Sequence, residues 1–150
     1  MMRTRAGILG LAALALVLAG QSAQAQLAPA LQYVIDNNLA SFNRRDLAGA
    51  MATIHTKSPD YDPTKQAMEE QFKDLDVTAS LVKFDLMGHD DEFAVARAKV
   101  KTTGKPGSGF VDNTVDAVLL FHQEDGAWKL WDETVLGVDI EAPTAAATTP

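Results

Sequence analysis

Few residues of this 150-residue chain could carry chemistry: there is no cysteine, and there are three histidines. Asp132 stands between Leu130 and Thr134 in FHQEDGAWKLWDETV, residues 121–135. A carboxylate among apolar neighbours loses hydration, its pKa rises towards neutrality, and it becomes able both to take and to return a proton. His55 closes the stretch DLAGAMATIH on the edge of its apolar stripe. An imidazole there can serve as a base or hydrogen-bond donor, or simply interact with the negative end of a helix. GHDDE, residues 88–92, gathers a histidine and three carboxylates. These are consecutive in an apparent hairpin loop and no second cluster has ligand spacing, so a solvated turn is expected and no metal. GKPGSG, residues 104–109, lacks the phosphate-loop pattern and opens a strand rather than a helix. No Gly-x-Ser-x-Gly elbow, Cys–His pair or His-Glu-x-x-His motif occurs.

The elements that must position these residues begin after a leader. Arg3 and Arg5 precede an apolar run from Ala6 to Gly20, and Ala23-Gln24-Ala25 supplies a small-residue exit. This is the layout of a secretory signal peptide at 1–25, cleaved after Ala25 and too short in its apolar run to anchor in a membrane. Gln21 follows Leu18-Ala19-Gly20, so the cysteine of a bacterial lipid anchor is missing. The expected product is an exported, soluble protein of the periplasm or extracellular space, with no membrane association once the leader is gone. The net charge of −7 becomes −9 without the two arginines, which argues against nucleic acid and anionic lipid as partners. The remaining 125 residues make one domain, 26–138, large enough to bury a core without disulfides. The small, Pro- and Thr-containing stretch 139–150 is expected to be a disordered tail.

Leu27, Leu31, Val34, Ile35, Asn38 and Phe42 recur at helical spacing, with Pro29 suited to a first turn and Tyr33 on the opposite side, towards solvent or a partner. Asp46 is a good N-cap for a second helix carrying Leu47, Ala50, Met51 and Ile54 on one stripe. Asp62-Pro63 signals a third, with Met68, Phe72 and Leu75 on one face. From Val77 the period becomes alternating. Val77–Met87, Phe93–Thr103, Phe110–Gln123 and Trp128–Val138 read as four strands of an antiparallel meander, giving an α+β domain with helices on one face of a curled sheet.

If Asp125-Gly126 is a two-residue turn, Glu124 pairs with Ala127 and the register of the last hairpin follows. One face then carries Val115, Ala117, Leu119, Phe121, Trp128, Leu130, Asp132, Thr134 and Leu136, and is expected to cover the helices. Asp132 comes to lie on this inner face opposite Leu119. The other carries Asp116, Val118, Leu120, His122, Lys129, Trp131, Glu133 and Val135. Its apolar members predict a homodimer through the outer face around Leu120, Trp131 and Val135, with His122 and Lys129 at the surface or in that contact.

The helix leading into FNRRDLAGAM, the Pro-containing break before the third helix and the closing DGAWKLWDETV together resemble the nuclear transport factor 2-like superfamily, particularly its bacterial SnoaL-like, polyketide-cyclase-like branch. The resemblance spans about Leu27 to Val138. It implies a cone-shaped, cystatin-like sheet wrapped around the helices, an apolar pocket at the open end and a habit of dimerising. Phe72, Leu119, Phe121, Trp128 and Leu130 are the expected pocket residues. Enzymes of this superfamily place an Asp or His base inside the cone, and Asp132, with His55 at the mouth, are the matching positions. Tyr33 points the wrong way to supply the oxyanion donor of a ketosteroid-isomerase-type site. Three functions stay open. The first is binding of a small hydrophobic or amphipathic molecule. The second is a cofactor-independent isomerase, dehydratase or cyclase using Asp132 and His55. The third is a structural module that binds another protein through the Trp131 patch.

Overall fold

Two fully buried side chains, Leu31 and Phe121, mark where the helices meet the sheet. The computed structural model describes residues 11–141, with side chains from residue 25 on. Its elements are α1 (Leu11–Asn43), α2 (Leu47–Met51), α3 (Tyr61–Asp74), β1 (Val77–His89), β2 (Phe93–Gly104), β3 (Asn113–Glu124) and β4 (Ala127–Ile140). The strands form one antiparallel sheet in the order β1-β2-β3-β4. The α+β meander expected from the change of period is therefore the observed architecture.

The start of the expected leader lies outside the described residues, as does the tail from residue 142. Helix α1 does not begin at Leu27. It runs through Pro29, which sits inside it rather than in its first turn, since a proline removes one backbone donor without forbidding the helix from continuing. Asp46 caps α2 as expected, accepting a hydrogen bond from the Gly49 N–H at 2.9 Å. In α3 the cap moves back to Asp60, and Pro63 falls within the first turn. The first helical N–H groups have no intrahelical partner, so the missing proline donor costs nothing there. The sheet also extends past the expected domain end, because Asp139 and Ile140 pair with Thr114 and Asn113. Phe110 stays in the loop before β3, where Gly107 and Gly109 have φ of 85° and 73°.

Leu31 and Ile35 of α1 pack on Ala94, Ala96, Ala98, Ala117, Leu119 and Phe121. Three alternating alanines on β2 face the helix, and their small side chains let it lie close to the sheet at ordinary packing density. Asn43 ties the end of α1 to β1, donating from its amide to the Ala79 carbonyl at 2.8 Å and accepting from the Ala79 N–H at 2.7 Å.

The last hairpin begins in the expected register. Asp125 and Gly126 have φ of 52° and 79°, as a type I′ turn requires, and Glu124 pairs with Ala127. The register then slips twice, leaving Trp131 and Leu136 as extra residues of β4. Each bulge turns the following residues to the opposite face. Glu133 rather than Asp132 is opposite Leu119, Asp132 is opposite Leu120, and Val135 is opposite Ala117 on the concave side. Leu120, Trp131 and Val135 thus do not share one face. The convex face is also more polar than expected. Arg97 donates two hydrogen bonds to Asp116, at 2.8 and 2.7 Å, and Lys99 lies 3.5 Å from the same carboxylate.

Candidate functional site

The second short helix ends by joining the sheet. The His55 N–H donates to the Leu130 carbonyl at 2.8 Å and the Leu130 N–H to the Thr53 carbonyl at 2.9 Å, making a parallel bridge between Ile54 and Leu130. Ser58 then donates from Oγ to the carbonyl of the bulged Trp131 at 2.5 Å, and accepts from the Asp60 N–H at 3.0 Å. The bulge thus finds a partner for its displaced backbone group, and the same contact brings the start of α3 against β4. Between them lies a pocket of about 430 Å³, lined by Asn38, Ile54, Ser58, Asp60, Pro63, Thr64, Ala67, Met68 and Leu130 through Glu133. A smaller chamber of about 160 Å³ continues under α1 between Ile35, Leu39, Ala98, Val100, Val115, Ala117 and Leu119. Asn38, Leu130 and Glu133 line both. Asn38 is held in place by its amide N–H bonds to Thr53 Oγ1 at 2.8 Å and the Ala50 carbonyl at 3.3 Å.

Three carboxyls border this space, and two have raised pKa values. The Asp60 carboxyl goes up because it shares a hydrogen bond with Asp132, with loss of hydration and the charge of Asp132 adding to the effect. Glu133 goes up first through removal from bulk water and second through the charge of Asp132. Its residue lies on the concave wall but is exposed to water, so the shift is screened. An arrangement of this kind can accept and return protons or hold a hydrogen-bond donor or cation against apolar walls.

Asp132 borders the pocket, but at its rim and opposite Leu120, because of the bulge at Trp131. His55 does not line it. The imidazole is 3% exposed and stacks on His122 at 4.7 Å, with the Trp131 ring edge-on at 4.8 Å. Its Nδ1 accepts from the Lys57 N–H at 3.0 Å, and His122 stacks in turn on Phe93 at 4.3 Å. His55 and Asp132 therefore do not converge in one cavity. Leu119 and Leu130 line the chamber. Phe121 is wholly buried in the core beneath it, and Phe72 packs on Phe42 at 5.4 Å. Trp128 lies on the far side of the Ile54–Leu130 crossing, in a separate groove of about 520 Å³ shared with Tyr33 and Lys129. Tyr33 is 66% exposed, as its position on the helix predicts.

Sequence reasoning missed Glu133, Asp60 and Ser58. Nothing in the alternation of β4 announces a bulge, and Asp60 and Ser58 sit in an irregular segment without period. Asn38 did carry a signal, as a polar residue on an apolar helical stripe. In GHDDE, Asp90 accepts from the Glu92 and Phe93 N–H groups at 2.8 and 2.7 Å. These bonds lower its pKa, the one from Phe93 most, and give it the role of a turn cap.

The fold is that of the nuclear transport factor 2-like superfamily. A protein of Shewanella oneidensis MR-1, described as NTF-2 like and of unknown function, superposes with a TM-score of 0.57 at 12% identity, over 71% of this chain and 96% of its own. A protein of Novosphingobium aromaticivorans assigned provisionally as a scytalone dehydratase gives a TM-score of 0.64 at 11% identity, over 84% and 95% of the two chains. A type 2 hexachlorocyclohexane dehydrochlorinase (LinA) gives 0.58 at 13% identity, over 83% and 95%. At such identities the likeness is one of fold. The family described as Anti-sigma-I factor RsgI9, C-terminal domain, matches residues 33–140. No curated protein matches the chain in sequence.

Proposed function

The chain belongs to the family of the anti-sigma-I factor RsgI9 C-terminal domain, and for a cone of this fold we propose that the concave pocket binds a small hydrophobic or amphipathic molecule. The supporting observation is the make-up of the cavity. Walls of Ile54, Ala67, Met68 and Leu130 lead into an apolar chamber, while Asn38, Ser58, Thr64 and the carboxyls offer polar contacts. Such pockets combine apolar lining with a few polar groups that orient the ligand. Two structural neighbours bear enzyme names, a dehydratase and a dehydrochlorinase, which favours a chamber that admits small molecules.

Acid–base catalysis is the second reading, and the raised pKa of Glu133 favours it. In that reading Glu133 takes a proton from the ligand and returns it at a second position, Asp132 holds the ligand's polar end at the rim, and His55 takes no part. We also propose that the protein acts after export, on the strength of Arg3, Arg5, the apolar run and Ala23-Gln24-Ala25; N-terminal sequencing of the exported form tests this. A homodimer through the convex face around Val118 and Leu120 is a further proposal, which analytical ultracentrifugation of Leu120→Lys against the parent protein would test.

The binding reading is tested by fluorescence. Of the two tryptophans only Trp131 borders the pocket, so Trp128→Phe leaves it as the sole reporter. Octanol should change its emission saturably, and an emission unchanged up to the solubility limit of octanol would sink the reading.

A further inference from the structure

The charged lining of the pocket has one sign. Asn38 faces it from α1, Ser58 and Asp60 from the segment between α2 and α3, Thr64 from α3, and Asp132 and Glu133 from β4; among the described residues no lysine, arginine or histidine lines it. Outside the pocket Asp76, Asp85, Asp116 and Glu141 each pair with lysine or arginine. Among the described residues none of the three pocket carboxyls has such a pair. From the cavity, its apolar walls and this uncompensated charge, we propose that the ligand is a cationic amphiphile, an organic ammonium whose apolar body enters the chamber under α1 while its charge rests among Asp60, Asp132 and Glu133. The inference rests on the binding reading above and names the ligand class within it.

An organic cation fits better than a metal ion. Among the described residues no three acidic or imidazole groups come together closely enough to hold a metal, whereas a charge spread over an ammonium head needs neither short distances nor fixed geometry. It also needs an apolar surface beside the carboxyls, and Ile54, Met68 and Leu130 provide one. Asp60 and Glu133 have raised pKa values through hydrogen bonding or loss of hydration and through the charge of Asp132. A bound cation favours the ionised form of each, so binding releases protons and tightens as pH rises through their titration.

Calorimetric titration of the whole exported domain with octyltrimethylammonium, octanol and octyl sulfate tests the proposal. The cation should bind at least about tenfold more tightly than octanol, the size of effect expected for contacts to charged groups. Octyl sulfate should bind more weakly than either. The advantage of the cation should grow with pH and shrink with salt, and Glu133→Gln should lower the ratio of cation to octanol affinity. Circular dichroism of the variant confirms its folding, and Asp60→Asn serves as a second probe of the same charge. If octanol binds and the cation shows no advantage, the cationic class is wrong and the pocket reading survives. If none of the three binds, both fail.

Discussion

Replacing Glu133 by glutamine should make the protein more stable near neutral pH. Glu133 faces Leu119 on the concave wall, where removal from bulk water, followed by the charge of Asp132, raises its pKa above the ordinary 4.5. A carboxyl whose folded pKa exceeds its unfolded value holds its proton more tightly in the folded state, so its ionisation opposes folding. That penalty is fully present above the folded pKa and absent below the unfolded one. Glutamine keeps the shape and removes the charge. Because water reaches Glu133 from the mouth, screening holds the gain below about 1 kcal/mol, which corresponds to a rise in Tm of at most roughly 4 °C for a domain of this size. Urea denaturation followed by circular dichroism, at neutral pH and again at about pH 4, measures it. The gain should be present in the first condition and gone in the second, with Asp132→Asn recovering only the part due to its charge. A loss of stability at neutral pH, or a gain that does not change with pH, would refute the placement of Glu133 on the concave wall.

Leu31→Ala empties a site that is 0% exposed above the alanines of β2; those alanines cannot swell to fill it, so denaturant unfolding should show a loss of about 2–5 kcal/mol. Asp46→Ala removes the side-chain cap of α2 and should cost about 1 kcal/mol in the same assay. Arg97, first by its hydrogen bonds and then by its charge, with Lys99 beside it, holds the Asp116 carboxyl down at about 2 from an ordinary 3.8. The stability this pair contributes is therefore complete above 3.8 and lost as pH falls through about 2, and Asp116→Asn should flatten that part of an acid titration followed by circular dichroism.

The fold was legible because its signals are local and repeated. Leu27, Leu31, Val34 and Ile35 are spaced for one helical face, the strands alternate, and Asp125-Gly126 is a turn whose backbone conformation few other pairs adopt. The site was half legible. Leu119 and Leu130 keep the face that simple alternation gives them because they precede the bulge at Trp131; Asp132 and Glu133 exchange faces because they follow it. A single extra residue leaves no mark on the composition of a strand, and its cause is distant in sequence: Ser58, which bonds the Trp131 carbonyl. His55 falls outside the pocket for a related reason. Helix α2 ends at Met51, and the bridge of Ile54 to Leu130 turns the next side chain away towards His122 and Trp131.

Binding in the concave pocket is tested most directly by a nuclear magnetic resonance titration of isotope-labelled protein with octanol. Saturable shifts should be confined to Asn38, Ile54, Ala67 and Leu130 through Glu133, extending to Leu119 and Ala117 in the chamber. Shifts centred on Tyr33 and Trp128, in the groove across the Ile54–Leu130 bridge, would contradict it.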